Sequence, residues 1–182
     1  MATSFQNQLT NRNFLSPEAF QFNITKTPKV SFFCTSASIP SITLPTETQP
    51  SYLKDIDVPG EKLEYENLNV RFLVDEDLKN YMAIHNWLTG LGFPESAGDF
   101  KAETTAPDTS RDLNLQFSDG SLTIQNSNFR TNAIVRYKDM FPTSLTSLEF
   151  DTGVTDIQYF TAEATFKYLV YNIVDKDGRT RL

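Results

Sequence analysis

The chain has 182 residues, of which 39% are apolar, 13% aromatic and 21% charged, with 23 acidic side chains against 16 basic ones and a formal charge of −7. A chain of this size buries roughly two thirds of its unfolded surface, so the composition predicts one domain with its own core and excludes global disorder. The acidic balance, with pI near 4.7, argues against a protein that wraps DNA or RNA, because phosphate binding rests on clustered Lys and Arg.

Cys34 is the only cysteine, so an intrachain disulfide and a Cys-rich zinc site are both excluded. The chain fits a reducing compartment or a virion without cross-links, with Cys34 a small buried apolar side chain. Residues 1–20 carry Asn, Gln, Thr and Ser where a secretory signal has its apolar core. No run of about 18 apolar residues occurs, so no membrane anchor is expected.

Alternation of apolar and polar residues organises most of the sequence and predicts a mainly β protein. From Ala19 to Lys26, Phe20, Phe22 and Ile24 share one face of a first strand. Thr27-Pro28-Lys29 supplies a turn, and Val30 to Ile39 resumes as a second strand, so the two are expected to form a hairpin.

Between Pro40 and Pro59 the composition changes: four prolines, no glycine until Gly60, and β-branched residues between them. Proline cannot donate a ladder hydrogen bond, so this segment can pair only at edges or reach outward. A connection of about twenty residues is long where most links run to roughly 4–6. Two readings stand here, a long loop and an extended arm that packs on a neighbouring subunit.

Leu63 to Asp75 alternates again, with Leu68, Val70, Phe72 and Val74 on one face and Asn67, Asn69 and Arg71 on the other. Leu78, Tyr81, Met82, His85 and Leu88 then recur at helical spacing, which predicts one helix from about Asp77 to Leu91 with this stripe inward. The preceding Asp75-Glu76-Asp77 complements the positive helix end, and Asp75 is the candidate cap.

The segment from Pro94 to Asp112 turns polar and reads as a flexible insertion. Leu113–Phe117 and Ser121–Gln125, joined by Ser118-Asp119-Gly120, read as a hairpin whose Asp-Gly pair supplies positive φ. Ala133–Tyr137 and Ser144–Phe150 read as short strands. Asp156 to Val174 alternates longest; straight, it would span about 60 Å, so it must bend or run past the core. The charged tail from Asp175 to Leu182 is expected to fray.

Catalytic chemistry finds little support. The single histidine, His85, falls on the predicted apolar helix face, where a packed imidazole is the simpler reading. Asp75 and Asp77 resemble a carboxylate pair for a divalent ion, but helix capping accounts for them. Gly90-Leu91-Gly92 follows a helix, so it is no dinucleotide fingerprint. No phosphate loop, zinc spacing or Gly-x-Ser-x-Gly elbow occurs, so neither an enzyme nor a cofactor is expected. Two-faced strands, a proline-rich arm and open edges suit self-assembly, and a monomeric β-sandwich binding module fits the composition nearly as well.

Several strings, in order, resemble the tail tube proteins of contractile-tailed bacteriophages. Lys138 to Asp151 (KDMFPTSLTSLEFD) and Ile157 to Tyr171 (IQYFTAEATFKYLVY) are similar to that family's aromatic-Pro-Thr turn, short strand, acidic turn and long final strand. Asn11 to Ile24 (NRNFLSPEAFQFNI) and Phe32 to Pro40 (FFCTSASIP) are similar to its opening hairpin and exit. The resemblance implies an antiparallel β-barrel or sandwich flanked by one α-helix, to which the residues from Pro40 to Pro59 add the extended proline-rich hairpin arm. It also implies hexameric rings stacked into the inner tube of a contractile tail, a conduit for DNA ejection assembled in the host cytoplasm. A baseplate initiator, a tail terminator and the tube of a bacterial injection device, such as type VI secretion, share the fold and stand as alternatives.

The implied partners are further copies of the chain, the sheath, baseplate and terminator proteins, and DNA passing without specific binding. Six copies at −7 each would carry −42, and such a wall does not hold phosphate. The lumen candidates are the polar faces Asn67, Asn69 and Arg71, and Thr161, Glu163, Thr165 and Lys167, whose charge is mixed. The candidate contacts between subunits are the arm's apolar residues Ile42, Leu44, Tyr52, Leu53 and Ile56.

Overall fold

The computed structural model describes residues 15, 17–27, 34–92, 116–151, 153 and 159–177. The Pro28-Lys29 turn, the first part of the second strand, the Pro94–Asp112 insertion, the strand start at 113–115 and the residues beyond 177 lie outside the described residues.

The fold is mainly β, antiparallel throughout, with a single helix among the described residues. Strands β1 (Phe20–Ile24), β2 (Cys34–Ala37), β7 (Leu68–Leu73), β8 (Ser118–Gln125), β9 (Thr131–Leu145), β10 (Thr161–Lys167) and β11 (Val170–Asp175) form one seven-stranded system ordered β1-β8-β9-β10-β7-β2, with β11 also on β9. Among the described residues the first two strands do not pair as the expected hairpin. β1 pairs with β8 and β2 with β7, so they lie at opposite ends of the order. Sequence neighbours pair often, but here long-range partners bury Phe22 and Ile24 completely. Among the described residues the two ends are not hydrogen-bonded to each other, so the architecture is an open sandwich and not a closed barrel.

β9 holds the two layers together. Its residues from Thr131 to Met140 pair with β8 on one side, and 133–138 pair with β11 on the other; Phe141 to Leu145 pair with β10. The corner falls at Asp139, which has φ 52°, beside a register shift between Ser118 and Gly120. An extra residue in one strand bends it and re-aims the side chains beyond the bend. Pro142 lies in β9 opposite Phe166, next to a second irregularity, where a residue without N–H is tolerated. The expected strand Ala133–Tyr137 therefore continues through Ser144 and Leu145 as one strand, the longest among the described residues, while the rest of the expected Ser144–Phe150 strand, from Thr146 on, is not strand.

The same corner breaks the final alternating segment. β10 stops at Lys167 and β11 starts at Val170, with the Leu169 amide donating to the Lys138 carbonyl at 3.0 Å. The described part of the expected Asp156–Val174 strand is thus two strands that turn with β9, and its start at 156–158 lies outside the described residues. The Asp119-Gly120 pair is not a turn either, because it runs inside β8. A Cβ at Gly120 would stand 2.4 Å from Met140 Sδ, so the glycine there is set by packing.

The helix α1 (Lys79–Gly92) caps the sandwich. Its start is tied by Asn80, not Asp75. The Asn80 Oδ1 accepts from the amides of Tyr81 (2.8 Å) and Asp75 (3.1 Å), and its Nδ2 donates to the Leu73 carbonyl at 2.7 Å. Ile84 and Trp87 face inward, with Tyr81, Leu88 and Leu91 packed beside them. Leu78 and Met82 are exposed, and so is His85, so the inward stripe is rotated from the expected one. Trp87 fixes the rotation: its ring meets Phe166 at 6.2 Å and its indole N–H donates to the Gln116 carbonyl at 3.0 Å. The core joins Phe22, Ile24, Leu122, Val135, Tyr137 and Met140 to Leu68, Val70, Phe72, Ala162, Ala164 and Phe166. Full burial of each large apolar side chain contributes about 1.5–3 kcal/mol.

Candidate assembly surfaces

The segment after β2 leaves the sandwich as a hairpin arm. β3 (Ile42–Thr43) pairs with β6 (Glu64–Tyr65), and β4 (Thr46–Gln49) pairs with β5 (Ile56–Pro59). Both pairs are two-stranded sheets separate from the main one. The Gly60 amide donates to the Pro45 carbonyl at 2.7 Å, and a Cβ at Gly60 would meet that oxygen at 2.6 Å, so only glycine closes the hairpin there.

All five arm candidates are exposed. Ile42 and Ile56 lie in its strands and Leu44 in the link between β3 and β4, while Tyr52 and Leu53 at the tip are 101% and 92% exposed. An isolated two-stranded hairpin is marginal in water, and its apolar residues gain nothing from this chain's own core.

The arm's base is fastened by tyrosines, which sequence spacing did not reveal because they come from distant segments. Tyr65, Tyr137, Tyr168 and Tyr171 meet in a cluster, with ring centroids 5.2 Å apart for Tyr137–Tyr168 and 5.7 Å for Tyr65–Tyr171. The Tyr168 hydroxyl donates to the Glu66 carbonyl at 2.9 Å and the Tyr171 hydroxyl to the Pro40 carbonyl at 3.2 Å. Burial, with the neighbouring Tyr171, Tyr65 and Glu66, pushes the Tyr168 hydroxyl up to about 12. Burial raises Tyr137 and Tyr171 as well. The Tyr137 hydroxyl is buried with no hydrogen-bond partner among the described residues.

The polar candidates share one face of the sheet. β10 lies against β7 with Thr161 opposite Leu73, Glu163 opposite Arg71 and Thr165 opposite Asn69. Because side chains alternate along each strand, Asn69, Arg71, Thr161, Glu163, Thr165 and Lys167 point away from the core that Val70, Phe72, Ala162, Ala164 and Phe166 fill. Asn67 is exposed just ahead of β7. Arg71 Nη2 stands 3.2 Å from Glu163 Oε2, so the guanidinium on this face has its counter-charge across the strand pair. Thr143 and Thr146 hydroxyls bond to the β10 backbone and extend the polar surface.

Other exposed apolar groups lie outside the predicted set: Phe150 and Phe160 in contact at 4.8 Å, with Tyr159, Phe129 and Leu169. Burial pushes the Cys34 thiol up to about 11, opposed by a backbone hydrogen bond at Ser36. Among the described residues no three His, Cys, Asp or Glu side chains are grouped as a metal site, and no helix is long and apolar enough to cross a membrane.

An open antiparallel sandwich with one helix and an outward arm is a fold found in contractile injection systems. The anti-feeding prophage cap that terminates its tube superposes with a TM-score of 0.59 at 15% identity, covering 96% of this chain and 99% of that one. A chain of the anti-feeding prophage baseplate does so at 0.58 and 12% identity, covering 93% and 97%. The chain belongs to the phage tail tube protein family, whose model matches residues 2–174. It is 31% identical over 149 residues to the tail tube terminator protein of Enterobacteria phage T4, covering 79% of this chain and 77% of that protein. It is a tail-tube or terminator-type structural protein.

Proposed function

We propose that the chain forms a closed ring, most simply a hexamer, that terminates the tail tube and continues its channel. The observation that carries ring formation is the arm, whose Tyr52 and Leu53 stand exposed, away from the core, among the described residues. Apolar groups held this far from a core are stabilised only by another molecule. The choice of the tube's end over its length is supported by the T4 terminator relative. A second reading, a subunit repeated along the whole tube, is supported by the family model and differs only in copy number.

In this reading the arm reaches the adjacent subunit or ring, and the Asn67 to Arg71 and Thr161 to Lys167 faces line the channel. The Arg71–Glu163 pair offsets the guanidinium, so the wall offers DNA little fixed positive charge and the duplex slides. Mixed charge at Lys167 leaves part of the repulsion to other acidic residues of the chain. The partners are neighbouring copies, the tube and the sheath and baseplate proteins, in a virion tail assembled in the host cytoplasm.

Counting copies per purified tail separates the two readings: a single ring supports the terminator, and a count that rises with tail length overturns it in favour of the tube. Deleting residues 43 to 57 is expected to leave a folded monomer that makes no rings. Rings or tubes from that variant in negative-stain images would remove the arm from the interface.

A further inference from the structure

We propose that Tyr168 and Tyr171 are positioning residues that fix the direction in which the arm leaves the sandwich, an inference that rests on the arm's role in assembly and adds its aiming device. The arm begins after Pro40 and returns at Glu66, and these two residues bracket it. The two hydroxyls reach the carbonyls of those two residues, one at each root: Tyr171 to Pro40 at 3.2 Å and Tyr168 to Glu66 at 2.9 Å. The Glu66 amide donates in turn to the Ser41 carbonyl at 3.2 Å, closing the base between the anchors.

The rings add a second constraint. Tyr65, which is part of the arm's β6, stands edge-on to Tyr168 at 6.1 Å and to Tyr171 at 5.7 Å. Tyr137 supports both from inside β9, at 5.2 Å from Tyr168 and 5.9 Å from Tyr171. Edge-to-face ring pairs are directional, so they resist rotation of the arm about its base and not merely its detachment. Tyr168 also sits at the corner between β10 and β11, where the chain is held by the Leu169 amide on Lys138. The anchor is therefore mounted on a turn tied to β9. Among the described residues the arm shares no strand ladder with the main sheet, so once both hydroxyl bonds are lost only ring packing and its two roots hold its direction, and that direction varies more widely.

The test uses the full chain in a Cys34→Ser background, spin-labelled at Ser51→Cys on the arm and Asn86→Cys on the helix, with the distance distribution read by pulsed electron resonance. The chain with all four tyrosines is expected to give one narrow distribution. Tyr168→Phe with Tyr171→Phe keeps every ring and removes both hydroxyls, and is expected to widen the distribution about twofold or more. Ring formation by the double variant then needs about ten- to a hundredfold more protein, the scale of two lost hydrogen bonds. An unchanged distribution in the double variant overturns the proposal. If the double variant does not fold, the two single variants carry the test, and the proposal falls if neither broadens. Broadening with normal ring formation by arm-deleted chains means that the anchor is real and the assembly reading is wrong. An unchanged distribution alongside loss of rings on arm deletion means the reverse.

Discussion

Gly120→Ala separates two explanations for one glycine. In β8 the Gly120 position has no left-handed φ, and the added Cβ would stand 2.4 Å from Met140 Sδ and 3.6 Å from the Asn23 carbonyl oxygen. Ordinary contact is about 3.5–4.0 Å, so Met140 must retreat by about an ångström. Met140 is fully buried, which leaves little room to do so. Overpacking of this kind costs about 1–3 kcal/mol, and replacing glycine in a strand returns about 0.5–1 kcal/mol. The net loss is about 0–2.5 kcal/mol, or up to about 10 °C in melting temperature for a chain of this size. Met140→Ala alone is expected to cost about 2–5 kcal/mol. In that background Gly120→Ala should become neutral or stabilising, because the new methyl enters space the methionine left. The coupling, measured by urea unfolding of all four chains, is then about 1–3 kcal/mol. If Asp119-Gly120 formed a tight turn, alanine would cost the same whether or not Met140 were present. Equal costs in the two backgrounds would refute the packing explanation.

Tyr52→Ser with Leu53→Ser should leave monomer stability within about 0.5 kcal/mol by thermal melting, since neither side chain is buried in its own chain. The same pair should weaken assembly by about two to four decades in sedimentation assays, if each contact buries about 1.5–3 kcal/mol of apolar surface. Tyr137→Phe removes a buried hydroxyl without a described partner, so urea unfolding should show unchanged or increased stability, by up to about 1–3 kcal/mol; a clear loss would reveal a bond to that oxygen. Stability should fall in alkali: Cys34 is raised from 9.0 to about 11, and Tyr168 from 10.0 to about 12. The folded state holds these protons longer, so its advantage is complete below about pH 9 and is lost as pH climbs through 11 to 12. A melting temperature flat from pH 9 to 12 would contradict this.

Periodicity makes β1, β7 and β10 legible, because each buries one face and a two-residue repeat records that directly. It also exposes the polar candidates, which fall on the side of β7 and β10 turned from the core. The arm is legible through its prolines, whose missing amides keep it out of a central sheet. The features that escape are non-local. The pairing of β1 with β8 spans about a hundred residues and leaves no mark on either segment. Helical spacing places the helix, but counting Met82 and His85 as inward overlooks Trp87, whose larger surface decides the rotation. Asn80 is polar, and nothing in its type signals that it is buried because three backbone groups use its amide. Asp-Gly is a strong hairpin signal, yet Met140 supplies a different reason for the same glycine. The tyrosine cluster draws on β6, β9, β11 and the link before β11, so no window of sequence contains it.

Because β9 is a member of both layers, neither can peel away without first surrendering its backbone bonds to the other. A pull on the arm passes through the tyrosines into Tyr137 and the β10–β11 corner, and so into this same strand. Among the described residues the two layers of the sandwich consequently meet through a shared strand and not at a seam. The subunit should yield all at once, with the amides of β9 the last to exchange with deuterium.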